Sequence, residues 1–251
     1  LKALITGASS GIGKDMASEF SKRGYELILV ARNKEKLEEV AEKLNTKNKI
    51  IIKDLSNVQN CIDLYEETKN EDIDILVNNA GFGTHGKFTE TELDKEINMI
   101  NTNITALHIL TKLFLKDMVK KDKGHILNVA SMAAFAPGPL MSAYYASKSY
   151  VYRLSQGIKI ELKRQKSKVK ISVLCPGPVR TNFNKVADVD FAAPSLSSEY
   201  VAKYAVNKML KNKFTIVPGT LMKFSRFFEK ILPHNLIGEV SYIINFKKDR
   251  R

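Results

Sequence analysis

Tyr144 and Lys148 stand four residues apart in the run Tyr144-Tyr145-Ala146-Ser147-Lys148, a spacing that puts both on one face of a helix. A phenol titrates near ~10 in isolation and exchanges protons poorly at neutral pH. A fixed ammonium beside it favours the phenolate and lowers that value, which makes the pair a candidate for general acid/base work. Ser131 precedes Tyr144 by thirteen residues and follows the apolar run 126–130. Its hydroxyl is placed to steady a carbonyl oxygen that Tyr144 protonates, or, read plainly, to cap a turn.

A second group of residues has the chemistry of a phosphate cradle. Thr6-Gly7-Ala8-Ser9-Ser10-Gly11-Ile12-Gly13 follows an apolar run and opens a helical pattern. Glycines at such a turn let the backbone approach a pyrophosphate, and the helix N-terminus supplies free N–H donors and the positive end of a dipole. The spacing is Gly-x3-Gly-x-Gly, which differs from the G-x-G-x-x-G of many dinucleotide sites. About 20 positions on, where a carboxylate would hold the ribose 2′-hydroxyl of NAD, the sequence has Arg32, suited to the 2′-phosphate of NADP(H) or simply an exposed arginine at a helix start. Asp54-Leu55 falls where an adenine ring would lie, although Asp54 or Ser56 also reads as the cap of the next helix. Asn78-Asn79-Ala80-Gly81 ends a further apolar run.

The elements that must position these residues are legible. Apolar runs stand at Ala3–Ile5, Leu27–Val30, Ile50–Ile52, Ile73–Val77, Ile126–Val129, Ile171–Leu174 and Phe214–Val217. Amphipathic stretches lie between them at Ile12–Arg23, Lys34–Leu44 and Val58–Lys69, with longer ones over Thr89–Lys121, broken once, and Ser142–Gln165. Near-continuous apolar strands alternating with helices predict a parallel sheet covered on both faces. No linker or repeat divides the chain, so residues 1–251 are expected to form one α/β, doubly wound Rossmann-type domain with a seven-stranded parallel sheet and helices on both faces.

The set Thr6-Gly7-x3-Gly11-x-Gly13, Asn78-Asn79-Ala80-Gly81, Ser131, Tyr144-x3-Lys148 and Pro176-Gly177-Pro178-Val179-Arg180-Thr181 resembles the short-chain dehydrogenase/reductase family in order and interval, over about residues 1–217. The resemblance implies that Tyr144 is the general acid/base, that Lys148 lowers its pKa and holds the nicotinamide ribose, and that Ser131 orients the substrate carbonyl. It matches Asn101 to the helix asparagine that holds a proton-relay water; by its residue type alone Asn101 is equally a buried helix residue. Pro176, Gly177, Val179 and Thr181 match the segment that grips the nicotinamide amide. The implied coenzyme set is Gly7, Ser9, Ser10, Gly11, Ile12, Gly13, Arg32, Asp54, Leu55, Asn79, Ala80 and Gly81 together with Tyr144 and Lys148. Many NADP-preferring members carry a second basic residue where this chain has Ser10, which leaves Arg32 with most of the preference. The implied activity is hydride transfer between NADP(H) and a carbonyl or alcohol, without metal or covalent intermediate. A nucleotide sensor without turnover is the alternative, and it has no use for an activated phenol.

The substrate side says less. Phe82, Phe135, Pro137, Leu140, Met141 and Phe183 lie near the site by order in the chain and read as an apolar pocket or as plain packing, and Asn184–Ser198 falls where family members carry a mobile substrate loop. A ketone, aldehyde or 3-oxoacyl group is the expected substrate class.

Forty Lys+Arg against 27 Asp+Glu give a formal charge of +13, which favours anionic partners. No nucleic-acid recognition motif accompanies it. The excess concentrates in Val201–Arg251, where 11 Lys+Arg stand against three acids, and residues 219–251 form a basic extension in which Leu221, Phe224, Phe227, Phe228, Ile231 and Leu232 project on one side, with Lys223, Arg226 and Lys230 opposite, until Pro233 ends the pattern. Such a face covers its own domain, a second subunit, another partner or an anionic membrane. The family usually forms dimers or tetramers on two long central helices, so a homo-oligomer is expected. Two cysteines make no disulfide framework, and the opening residues run straight into an apolar strand without a leader pattern, so a cytoplasmic, and at most membrane-peripheral, protein is expected.

Overall fold

Each of the seven apolar runs forms a strand. The computed structural model describes residues 1–181, 195–229 and 231–246. Its main sheet comprises β1 (Lys2–Thr6), β2 (Glu26–Ala31), β3 (Asn48–Ile52), β4 (Ile75–Asn78), β5 (His125–Val129), β6 (Lys170–Leu174) and, after the two short strands β7 (Val179–Arg180) and β8 (Leu196–Ser197), β9 (Thr215–Ile216). The order is β3-β2-β1-β4-β5-β6-β9, and every pairing is parallel, with Ala3 opposite both Leu27 and Ile75. Between β1 and β4 the direction of winding reverses, and the carboxyl ends of the strands flank a crevice there.

Alternation along the strands divides the core into two layers. Ile5, Leu27, Leu29 and Val77 point to one face, where Met16, Ala17 and Phe20 of α1 (Gly11–Ser21), Leu37 of α2 (Lys34–Ala41) and Val201, Ala205, Val206 and Met209 of α7 (Ser198–Leu210) cover them. Leu4, Ile28, Leu76 and Ile126 point to the other, under Leu64 of α3 (Val58–Thr68), Leu110 and Phe114 of α5 (Leu107–Lys120) and Leu162 of α6 (Ser142–Arg164).

The break expected within 89–121 has a specific form. Helix α4 (Leu93–Ile100) runs into a π-helical turn, Asn101–Ala106, which continues into α5. A π-bulge inserts a residue into the helix and turns the following side chains relative to the preceding ones. Three further expectations change. The cap of α3 is Asn57, whose Oδ1 accepts from Gln59 N–H at 2.8 Å, rather than Asp54 or Ser56. Helix α7 lies where no element was expected. The amphipathic tail forms α8 (Thr220–Phe228), and Pro233 does not end helical structure but begins it again: its carbonyl accepts from Ile237 N–H at 3.2 Å at the start of α9 (His234–Phe246).

Candidate active site

At the coenzyme end, the turn after β1 is latched to the end of β4. The Asn79 side chain donates to the carbonyls of Thr6 (3.0 Å) and Gly7 (3.2 Å), and Thr6 Oγ1 accepts from the N–H groups of Asn79 (3.0 Å) and Ala80 (3.1 Å). The close approach explains the glycines. Gly7 has φ of +65°, and a Cβ on Gly13 would stand 2.3 Å from Gly7 O and 2.5 Å from Asn79 Nδ2. Beyond the turn, the start of α1 carries no side-chain cap, so its N–H groups remain for an anion.

A cavity of about 850 Å³ runs along the carboxyl edge of the sheet. Gly7, Ser9, Ser10, Gly11 and Ile12 line it, as do Arg32, Asp54, Leu55, Asn79, Ala80, Gly81, Pro176, Gly177, Val179 and Thr181. Gly13 lies just behind this wall, packed on the turn. Arg32 is largely exposed and faces Asp54 at 3.7 Å. Burial alone would raise the Asp54 carboxyl, but hydrogen bonds from Ser56 and the charge of Arg32 outweigh it and hold the group below its ordinary value. Lys36 in α2 and Lys53 just after β3 line the same end, two cations that the spacing argument overlooked.

At the other end, Tyr144, Lys148 and Ser131 converge on one wall of the cavity. Ser131 serves both readings. Its Oγ accepts from Ala133 N–H at 3.1 Å, capping the 3-10 turn Met132–Phe135, and it also hydrogen-bonds the Tyr144 side chain. Lys148 is buried, donates to Val129 O at 3.1 Å and stands 5.8 Å from the Tyr144 ring centre. The electrostatics differ from the expectation that lysine depresses the phenol. Burial pushes Tyr144 well above the usual tyrosine value, and Ser131 recovers only part of it. Burial likewise lowers Lys148 to about 8, so it remains mostly cationic at neutral pH while Tyr144 stays protonated.

Asn101 is not the asparagine at the site. Among the described residues its side chain makes no hydrogen bond, and it does not line the cavity. Asn103 takes the inward place. Its Oδ1 accepts from Phe82 N–H at 3.1 Å; its Nδ2 donates to Phe82 O at 2.9 Å and to Ser147 Oγ at 3.1 Å. Ser147 in turn donates to Tyr144 O at 2.7 Å. A Cβ on Gly81 would fall 2.7 Å from Asn103 Oδ1 and 3.3 Å from Lys148 Nζ, so both groups crowd the same point. The signal was present in the sequence: Met99, Asn103, Ala106 and Leu110 continue one inward stripe.

Of the residues expected on the substrate side, Phe82 and Met141 line the cavity. Phe135 does not. The 3-10 turn directs its ring onto Tyr152, 4.7 Å away, and beneath the Arg226 guanidinium, also at 4.7 Å. Phe183 and most of the 184–198 segment lie outside the described residues. The roof comes instead from the tail. Met222 and Ser225 of α8, Glu229 just after it, and Ser241 and Ile244 of α9 line the cavity. Helix α9 is fastened by Asn245, whose Nδ2 donates to Pro139 O at 2.9 Å and whose side chain bonds Tyr145. Glu229 Oε2 is buried without a partner among the described residues, and burial, only partly offset by Arg226, raises its carboxyl to about 7.

A sequence profile described as short chain dehydrogenase matches residues 2–190. The chain belongs to the short-chain dehydrogenase family. It is 37% identical over 205 residues to the very-long-chain 3-oxoacyl-CoA reductase of Anas platyrhynchos, covering 77% of this chain and 64% of that one, so it spans less than two thirds of that relative. Estradiol 17-beta-dehydrogenase 11 of Macaca fascicularis is 34% identical over 252 residues, covering 98% and 84% of the two chains. Among solved structures, a short-chain dehydrogenase from Sphingobium yanoikuyae in complex with NADPH superposes with a TM-score of 0.82 at 28% identity, over 92% of this chain and 93% of the other.

As a short-chain dehydrogenase, the protein is a nicotinamide-dependent oxidoreductase. The glycine turn latched by Asn79 and the open start of α1 fit the dinucleotide: side chains at Gly7 and Gly13 would push the turn off Asn79, and the uncapped N–H groups of α1 suit a pyrophosphate. Among the described residues no cluster of candidate metal ligands is present, and no helix is long and apolar enough to cross a membrane.

Proposed function

We propose that this short-chain dehydrogenase reduces the carbonyl of an apolar ketone, aldehyde or 3-oxoacyl substrate with NADPH. The observation that carries the reading is the convergence of Tyr144, Lys148 and Ser131 on one cavity whose far end is lined by Arg32, Lys36 and Lys53. Those cations suit a ribose 2′-phosphate, and Arg32 offers a planar fork to it. When bound, the reduced nicotinamide supplies the hydride to the carbonyl carbon. Tyr144 gives its hydroxyl proton to the carbonyl oxygen, and Ser131 donates to the same oxygen. The high pKa that burial gives Tyr144 keeps the proton in place until the oxygen becomes basic, which favours reduction at neutral pH. Lys148 sets a positive charge beside the phenol, and Asn103 positions α6 through Ser147 and fixes the Gly81–Phe82 wall. Asn103 replaces Asn101 in this role.

The names of the relatives support the substrate class, one acting on a 3-oxoacyl-CoA and one on a steroid. The reading also includes one domain over 1–251 with 219–251 as its extension, a cytoplasmic location and no nucleic-acid partner. It includes a homodimer or homotetramer on the central helices, where Ile97 of α4 and Ile160 of α6 are exposed, and a peripheral membrane contact through residues 221–232.

Fluorescence titration with NADPH and NADH, followed by NADPH consumption with carbonyls from small diketones to 3-oxoacyl thioesters, tests the proposal. NADPH should bind more tightly than NADH, and Arg32→Asp should weaken NADPH far more than NADH. Tyr144→Phe should retain NADPH binding and lose ~10²–10⁴ of turnover. Equal loss of both coenzymes in Arg32→Asp, or unchanged turnover in Tyr144→Phe, overturns it.

A further inference from the structure

The roof of the cavity has two unlike sides. Inward, α8 and α9 present the lining residues described above. Outward, they and the turn between them present large apolar side chains: Phe224 is 67% exposed, Phe227 59%, Ile231 of the turn 63% and Ile243 54%, with Leu221, Phe228, Leu236 and Val240 around them. No residue of α8 is fully buried; Met222, Ser225 and Arg226, on its inward side, are half-buried. The described residues of its own domain leave this face uncovered, so a second subunit, another partner or a membrane remains. An apolar surface of this extent on a folded chain marks a docking face.

Charge selects the occupant. Residues 219–251 carry seven Lys+Arg against three Asp+Glu, and the sequence after Phe246 continues Lys247-Lys248-Asp249-Arg250-Arg251. A second copy docked face to face would oppose these cations with the same cations, whereas anionic lipid headgroups neutralise them. Helices too short to span, apolar on one side and flanked by lysine and arginine, suit the plane of a bilayer interface. Lys223 is exposed beside the apolar residues, while Arg226 turns inward to Tyr152 and is spent on the fold.

Ile244 joins the two sides. It is 52% exposed and also lines the cavity, so the apolar face and the cavity meet at this residue. We propose that α8 and α9 dock on an anionic bilayer and that the cavity takes its substrate, an amphiphile bearing the carbonyl, directly from that bilayer. The docking stands on the exposed face and its charge; the identity of the cargo rests on the reductase reading.

Co-sedimentation of the full chain with phosphatidylcholine vesicles, with and without 30 mol% (about one lipid in three) phosphatidylglycerol, tests the docking. Binding is expected to the anionic vesicles and to fall at least ~tenfold in Phe224→Glu/Phe227→Glu/Ile243→Glu. NADPH binding by the same variant should be unchanged, which shows that it folds. Turnover of a long-chain ketone dissolved in the vesicles should fall at least ~tenfold in the variant, and turnover of a water-soluble diketone should not. No binding to anionic vesicles, binding that survives the triple substitution, or a wild-type dimer that the substitution dissociates in sedimentation velocity overturns the docking. Equal loss on both ketones overturns the route from the bilayer. Absence of NADPH turnover with every carbonyl sinks the reductase reading and the cargo with it, and leaves the docking to the vesicle result.

Discussion

The dinucleotide half and the C-terminal roof handle apolar side chains in opposite ways. On α1, Phe20 is fully buried beside Met16 and Ala17. On α8, Phe224 and Phe227 belong to the same residue type on the same kind of amphipathic helix, yet they face outward. Both helices contribute to one cavity. The difference is in what holds them: α1 is pressed between the sheet and α7, while α8 and α9 hang from a few polar fastenings, chiefly Asn245 on Pro139 and Tyr145 and Arg226 on Tyr152. One wall of the cavity is built into the core, and its roof into a surface element.

The sharpest way to break this comparison is to truncate one phenylalanine from each region. Phe20→Ala should cost ~3–5 kcal/mol of unfolding free energy, the transfer and cavity penalty of a packed aromatic. Phe224→Ala should stay within ~0.5 kcal/mol. Urea titrations decide, and a comparable loss at both sites would mean that the roof packs as core.

Acid should act on the sheet in the same selective way. His125 is buried at the start of β5 against Ser172 Oγ at 2.8 Å, and burial, with the charge of Lys170, lowers it from 6.5 to about 4. The unfolded chain binds this proton more readily than the folded one between those values, so stability is lost as pH falls through that window. The loss between pH 7 and 4.5 should reach ~2 kcal/mol, and His125→Gln should flatten that part of the profile. A wild-type slope unchanged by the substitution would show that the proton goes elsewhere.

Smaller, and confined to catalysis, is the contrast between two asparagines two residues apart. Asn103→Ala removes the partners of the part-buried Phe82 N–H and C=O and one bond to buried Ser147, and should lower kcat/KM by ~10–100-fold, the equivalent of one to two lost buried hydrogen bonds. Asn101→Ala should change it less than ~twofold. A deep effect at Asn101 with none at Asn103 would reverse the assignment. A modest effect of the opposite sign, a gain, is expected at Gly238 in α9, where an added Cβ meets only Pro137 at 3.7 Å. Gly238→Ala should stiffen the roof by up to ~1 kcal/mol, seen as slower amide exchange in 234–246 with NADPH affinity unmoved.

Most of the sheet was legible because strands buried on both faces read as unbroken apolar runs, Leu27–Val30 and Ile126–Val129 among them. Helix α7 was not, because its buried face is Val201, Ala202, Ala205 and Val206, small side chains whose meaning depends on α1 opposite. Pro233 read as a stop because a proline ends one helix as readily as it starts the next. The glycine turn, Arg32, Ser131, Tyr144 and Lys148, singled out by type and spacing, all line one cavity; other expectations did not meet the structure in this way. They failed at Asn101 and Phe135, where a π-turn and a 3-10 turn rotate side chains by amounts that residue spacing does not record. The sign of the Tyr144 shift was missed for a related reason: spacing brings an ammonium near a phenol, but only the packed structure shows how much water the phenol has lost.

The outward face of α8 and α9 has a calorimetric consequence. Apolar area that is hydrated in the folded chain adds nothing to the heat-capacity increase on unfolding, so this protein's increment should fall below the average for 251 residues. The missing part should reappear, with opposite sign, as a negative heat-capacity change when that face is covered.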